Sequence, residues 1–75
     1  MITAEEAKQI AAEWLSDICG CTEYSAAYVF YNPRSRHSIG GWDAPVAVLK
    51  ESGRRCGFTE FLSDCGGEPI REITF

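Results

Sequence analysis

Residues 3–18 read TAEEAKQIAAEWLSDI, and this stretch decides the fold. Thr3, followed three residues later by Glu6, is a capping-box pattern in which each side chain satisfies a backbone N–H that lacks a partner inside the helix. Apolar residues then recur at spacings of three and four and predict one apolar stripe, formed by Ala7, Ile10, Ala11, Trp14, Leu15 and Ile18. We expect a helix that begins at Ala4 and ends near Cys19.

The predicted helix needs a partner surface to cover its apolar stripe. Gly20 can take the left-handed conformation that commonly follows a helix, which places the end of the helix just before it. Trp14 belongs to the stripe, so we expect its ring in the core. The opposite face carries Lys8, Glu13 and Asp17, which suits a surface turned to water.

Aromatic and β-branched residues predict strands in the rest of the chain. We expect a first strand over 24–32, a loop over 34–42, a second strand from Pro45 to Lys50, a turn at Gly53, a third strand over 55–62 and a fourth, edge strand over 70–75. The stretch 58–62 has apolar spacing that could equally begin a helical turn.

These elements predict an α+β fold in the order α-β-β-β-β. A chain of 75 residues buries too little surface for a second core, so residues 1–75 should form a single domain. The N-terminal helix covers one face of a three- to four-stranded antiparallel sheet, which gives two layers. The other sheet face is expected to stay partly bare, and its apolar side chains could then meet a partner.

Charge and hydropathy narrow the functional classes. Five acidic residues and one lysine give 1–23 a charge of −4, whereas 24–58 carry five basic and two acidic residues, or +3. The net charge of −4 disfavours a nucleic-acid binder, whose phosphate contacts need a concentrated basic face. Met1 is not followed by a secretory signal pattern, and no apolar run approaches the ~20 residues that cross a bilayer, so a cytoplasmic location without membrane contact is expected.

Four cysteines, Cys19, Cys21, Cys56 and Cys65, leave several interpretations open. In a reducing compartment they stay free thiols and behave as small apolar groups, which is the favoured interpretation. Four thiolates could also hold a structural zinc ion, although the spacing departs from paired Cys-x-x-Cys knuckles. In an exported chain they could form disulfides in any of three pairings.

The loop over 34–42 is the best candidate binding site in the sequence. It combines positive charge with aromatic surface, a mixture enriched in contact hot spots, and the candidate partner-binding residues are Tyr31, Arg34, Arg36, His37 and Trp42. A solvated loop whose arginines only favour solubility is an equally good interpretation. His37 with its neighbouring serines does not supply a catalytic triad, and no phosphate loop, metal motif or paired carboxylates occur, so neither an enzyme nor a cofactor is predicted.

Two motifs carry a family resemblance. They are Ile2-Thr3-x-x-Glu6-Ala7-x-x-x-Ala11-x-x-Trp14-Leu15 and Gly41-x-x-x-Pro45-Val46-x-Val48-x-Lys50-x-Ser52-Gly53. The chain resembles the small bacterial immunity proteins of the YrhB-like group, and its helix-then-hairpin opening is also similar to PepSY domains. The first resemblance implies an inhibitor that binds and neutralises a cognate toxin and needs no catalytic group.

Together these patterns predict a non-enzymatic domain that binds another protein, in its sharpest form an immunity-type inhibitor. A homodimer formed through the sheet face or the edge strand is a further option for the partner. The alternatives are a small structural zinc-binding module and another accessory domain of a phage or bacterium.

Overall fold

Five antiparallel strands form one sheet in the computed structural model, which describes residues 1–35, 44–64 and 67–75. The elements are α1 (Ala4–Ala11), β1 (Gly20–Tyr24), β2 (Ala27–Tyr31), β3 (Val46–Leu49), β4 (Arg55–Gly57), α2 (Phe58–Asp64) and β5 (Pro69–Thr74). The strand order is β4-β3-β2-β1-β5, so β5 is the predicted edge strand. The α+β class is confirmed, and the strand count is five rather than three or four.

The capping box that opens α1 is present with both of its bonds. The Thr3 backbone N–H donates to Glu6 Oε1 at 3.0 Å, and the Glu6 N–H donates to Thr3 Oγ1 at 3.2 Å. The helix therefore begins at Ala4 as predicted, but it ends at Ala11 rather than near Cys19. A turn follows, and Asp17 takes a φ of 55°, a left-handed conformation that a short polar side chain tolerates.

Because α1 ends at Ala11, Trp14 lies in the turn that follows the helix. The predicted core position is wrong, because Trp14 is 52% exposed while Leu15 beside it is 1% exposed and fills the core instead. The guanidinium of Arg55 lies over the Trp14 ring, 5.0 Å from its centroid, and also bonds Glu13 and the Ile10 carbonyl. The indole thus lies on the surface of the α1 side in a cation–π contact.

The predicted strand over 24–32 is two strands joined by a tight turn. β1 begins at Gly20, the chain reverses at Ser25 and Ala26, and β2 returns with Cys21 opposite Phe30 and Thr22 opposite Val29. Strand propensity marks extended chain but does not show where it reverses. Gly20 is therefore the first residue of a strand rather than the residue that ends a helix.

Each face of the sheet has its own apolar core. On the α1 side, the core residues are Ala7, Ala11, Leu15, Cys21, Tyr28, Phe30, Val46 and Val48. On the opposite side, α2 covers Tyr24, Ala27, Val29, Ala47 and Cys56 with Phe61. The predicted third strand over 55–62 is therefore wrong beyond Gly57, where the helical alternative holds, and the expected bare face is partly covered.

The second predicted strand and its turn are confirmed. β3 occupies Val46–Leu49, and Gly53 in the following turn has a φ of 73°, which favours glycine. None of the helices in the described ranges is both long and apolar enough to cross a membrane.

A network of charged side chains on the α1 side ties three strands together. Glu23 of β1 accepts a bond from Lys50 Nζ at 2.7 Å and one from Arg71 Nε at 2.5 Å. Lys50 follows β3 and is nearly buried, with its ammonium 4.9 Å from the centre of the Tyr28 ring. The bonds from Lys50 and then Arg71 lower the pKa of Glu23 from its ordinary value of 4.5.

This lowered pKa predicts a loss of stability in acid. Ionised Glu23 stabilises the fold above pH 4.5, and that contribution is lost as the pH falls from 4.5 through the lower folded-state pKa. We expect Glu23→Gln to lower the thermal midpoint at pH about 7, and the gap to wild type to shrink at pH about 3. Thermal denaturation of Glu23→Gln and of the exposed-site control Glu68→Gln tests this. An equal gap at both pH values would show that the pKa of Glu23 is not lowered.

Candidate functional site

A groove lies on the side of the sheet that α2 covers. Its volume is about 500 Å³, within the roughly 300–1,000 Å³ typical of small-molecule pockets. The lining of this α2-side groove includes Thr22, Tyr24, Val29, Tyr31, Pro45 and Phe58. Three aromatic rings therefore face the same concave space.

Local structure explains why these residues meet. Thr22 of β1 is paired with Val29 of β2, so both side chains point to the α2 side and form part of the floor. Phe58 opens α2, and its backbone N–H donates to the Pro45 carbonyl at 3.3 Å, which fixes the start of α2 to the segment before β3. The sheet and α2 thus form adjoining walls of the groove.

A carboxylate is held beside the groove by two hydroxyls. Tyr31 Oη donates to Glu72 Oε2 at 2.8 Å, and Thr22 Oγ1 donates to Glu72 Oε1 at 2.6 Å. Thr22 and Glu72 lie opposite each other in the β1–β5 ladder, while Tyr31 reaches Glu72 from β2. We call Thr22, Tyr31 and Glu72 the carboxylate clamp.

Gly20 makes the reach of Tyr31 possible. It pairs with Tyr31 on one side and with Thr74 on the other, so the tyrosine ring must cross over it to approach β5. A Cβ at this position would lie 2.7 Å from Tyr31 Oη, 2.9 Å from Tyr31 Cζ and 3.1 Å from the Ile73 carbonyl oxygen. Glycine here leaves the space that the end of the Tyr31 ring occupies, so it serves close approach rather than a turn.

The clamp also sets the ionisation of its tyrosine. The hydrogen bond to Glu72 and then burial raise the pKa of Tyr31 to about 12, because an anionic phenolate beside a carboxylate is disfavoured. The phenol therefore stays protonated and donates at neutral pH. A phenol with a raised pKa releases its proton less readily, so the Tyr31 hydroxyl is better suited to holding the Glu72 carboxylate by a hydrogen bond than to acid catalysis.

The structure places two of the five predicted partner-binding residues. Tyr31 lines the α2-side groove and belongs to the clamp, whereas the Arg34 guanidinium pairs with Asp17 Oδ2 at 3.2 Å. Arg36, His37 and Trp42 lie outside the described residues. The partner-binding role of all five stays a prediction.

Sequence reasoning missed Thr22, Glu72, Tyr24 and Phe58. Thr22 and Glu72 are 50 residues apart, and only the pairing of the first strand with the last brings them together. No local motif signals that pairing. Phe58 falls within the predicted third strand, and although the sequence also allows a helical turn over 58–62, it does not indicate that this residue lines a groove.

Cys21 and Cys56 lie on opposite faces of the sheet. Cys21 is packed in the α1-side core and Cys56 in the α2-side core, so the sheet separates their sulfurs and they cannot bind one metal ion. Burial, followed by the charges of Glu72 and Glu23, raises the pKa of the Cys21 thiol to about 11, which disfavours the nucleophilic thiolate at neutral pH. Cys65 lies outside the described residues. In the ranges 1–35, 44–64 and 67–75 there is no cluster of three or more metal-binding side chains.

Comparisons of the chain with protein-family models, with curated proteins and with solved structures find no match. The resemblance to immunity proteins and to PepSY domains stays a prediction.

Proposed function

We propose that this chain is a non-enzymatic protein-binding domain whose contact surface is the α2-side groove together with the carboxylate clamp. One observation carries the proposal: an aromatic-lined groove of about 500 Å³ adjoins a carboxylate that two strands hold in place. Such a site offers apolar area for affinity and a fixed polar group for orientation.

The composition of the groove supports recognition of a protein. Tyr24, Tyr31 and Phe58 supply three aromatic rings, and aromatic residues are enriched at interfaces and in hot spots. Tyr24 is braced by Phe61 of α2, whose ring centre is 5.1 Å away in an edge-on contact. Rings that are already packed lose little freedom when a partner binds, so less binding energy is spent on ordering them.

The sharpest version of the proposal is an immunity-type inhibitor of a cognate toxin, acting in the cytoplasm. An inhibitor of this kind needs a recognition surface and no catalytic group. This agrees with the raised pKa of Tyr31, which suits its hydroxyl to holding a carboxylate by a hydrogen bond. The net charge of −4 favours a partner with a positively charged surface, which it would attract by long-range steering. The partner-binding role predicted for the loop residues Arg34, Arg36, His37 and Trp42 remains part of this proposal.

The test begins with the tagged wild-type chain, which is purified from its native host so that bound proteins can be identified. The affinity of the purified partner is then measured for wild type, Phe58→Ala and Trp14→Ala. We expect Phe58→Ala to weaken binding about tenfold, because truncating a hot-spot residue costs more than ~1 kcal/mol. Trp14→Ala removes an exposed aromatic ring from the opposite side and should leave the affinity unchanged.

Three outcomes would separate the versions of the proposal. Equal affinity of wild type and Phe58→Ala would remove the groove from the interface. If Arg34→Ala lowered the affinity for the partner and Phe58→Ala did not, the interface would lie at the loop over 34–42 instead of the groove. For the inhibitor version, co-expression of the chain with a toxin encoded beside it should restore growth of the host, and failure to do so would leave a binding domain of another kind.

A further inference from the structure

The two carboxylates of the β1–β5 ladder have contrasting partners. On the α1 side, Glu23 pairs with two cations, Lys50 and Arg71. On the α2 side, Glu72 is bonded by two neutral hydroxyls, and within the described residues no lysine, arginine or histidine forms an ion pair with it. Two hydroxyls therefore hold its charge in position, and none of the cations in the described ranges neutralises it through an ion pair.

The sequence around Glu72 is predominantly acidic. Residues 58–75 contain four acidic residues and a single basic one, Arg71, whose guanidinium is engaged by Glu23 on the other face. The high pKa of Tyr31 keeps its phenol a neutral donor throughout the neutral range. A cation arriving from another molecule would meet a negative charge that is already oriented, and little reorganisation would be needed.

The free acceptor sites of Glu72 match one cation better than the others. A carboxylate has about four lone-pair sites, so after the bonds from Tyr31 and Thr22 each oxygen of Glu72 can still accept another bond. One free site on each oxygen suits the planar fork of a guanidinium, which binds both oxygens at once. An ammonium group would act only as a point charge.

The groove suits the rest of an arginine side chain. Its apolar stem can lie along aromatic surface while the charged head stays partly hydrated, and a guanidinium also stacks on aromatic faces. The ring of Tyr31 lines the groove and ends in the hydroxyl that bonds Glu72, so aromatic surface runs directly to the carboxylate.

Resting on the proposed function, we propose that the α2-side groove recognises an arginine of the partner protein, whose guanidinium binds Glu72 while its stem packs against Tyr31. Glu72 and Tyr31 are then specificity-determining residues, and Thr22 is a positioning residue. The occupant is identified as an arginine because its positive charge complements the negative charge of Glu72 in the clamp.

The probe is the blocked tripeptide acetyl-Leu-Arg-Leu-amide, and its control contains citrulline, which has the shape of arginine without the charge. Each peptide is titrated into ¹⁵N-labelled wild type, Glu72→Gln and the matched control Glu68→Gln, and chemical shifts of the backbone amides are followed. We expect saturable shifts at Thr22, Tyr31 and Glu72, and an affinity about tenfold lower for citrulline or for Glu72→Gln. Glu68→Gln should bind as wild type does.

The inference and the proposed function can fail separately. Equal shifts with arginine and citrulline peptides would overturn the arginine assignment while leaving the groove as a binding surface. Binding of the arginine peptide to Glu72→Gln with the same affinity as to wild type would also overturn the arginine assignment and leave the groove as a binding surface. Concentration-dependent shifts without peptide that are lost in Glu72→Gln would identify a second copy as the occupant and overturn the assignment to another protein. Peptide binding as expected, together with a native partner indifferent to Phe58→Ala, would support an arginine-binding groove but overturn the proposal that this groove is the contact surface for that partner.

Discussion

Phe61→Ala is expected to lower the free energy of unfolding by about 3–5 kcal/mol, the usual cost of deleting a buried phenylalanine ring. Phe61 is 1% exposed and packs against Tyr24, Ala27 and Val29 in the α2-side core. A domain of this size has a total stability of roughly 4–11 kcal/mol at ~0.05–0.15 kcal/mol per residue. The substitution would therefore remove a large part of the stability of the fold, and chemical denaturation followed by circular dichroism measures it.

Phe58→Ala serves as the matched control on the same helix. Phe58 is only partly buried at the edge of the same cluster, so its truncation should cost clearly less than that of Phe61. The denaturant slope should stay at the wild-type value for both variants, because neither changes the surface exposed on unfolding by much. A loss below ~1 kcal/mol for Phe61→Ala would mean that α2 does not cover the sheet as described.

Local chemistry was enough to predict the elements whose signals lie within a few residues. The capping box of Thr3 and Glu6 fixed the start of α1, and the apolar run after Pro45 with the glycine turn at Gly53 marked β3 and its end. These signals work because the hydrogen bonds or dihedral angles they require are satisfied within the segment itself.

The remaining elements were decided by contacts distant in sequence. The apolar periodicity of residues 3–18 continues beyond Ala11, yet the regular helix ends there and a turn follows, in which the Trp14 and Leu15 N–H groups both donate to the Ala11 carbonyl. The reversal at Ser25 and Ala26 lacks the Asn-Gly or Asp-Gly pair that usually marks a hairpin. In both places the local propensity of the sequence does not show where the chain turns.

The candidate site was predicted only in part for the same reason. Tyr31 was identified from its aromatic side chain at the end of a strand, and it does line the groove. Its partners Thr22 and Glu72 come from the first and last strands, so they could be found only once β5 was known to pair with β1. The clamp is a product of sheet order rather than of a motif.

Gly20→Ala is expected to lower the free energy of unfolding by about 1–3 kcal/mol, the usual cost of overfilling a packed position. The added methyl group would lie 2.7 Å from Tyr31 Oη and 3.1 Å from the Ile73 carbonyl oxygen, and the backbone cannot easily move away. Tyr31 must then leave Glu72, so its pKa should fall from about 12 toward its ordinary value of 10.0. Chemical denaturation measures the first effect, and titration of tyrosinate absorbance measures the second.

Gly57→Ala is the control, because it places the same methyl group in another strand where no heavy atom lies within 4 Å of the new Cβ. It should leave the Tyr31 titration unchanged and should be neutral or stabilising by up to about 1 kcal/mol, since alanine restricts the unfolded chain more than glycine does. If Gly20→Ala kept the high Tyr31 pKa, the tyrosine would have to reach Glu72 by a path that does not cross position 20. The clamp would then owe its geometry to something other than the missing Cβ.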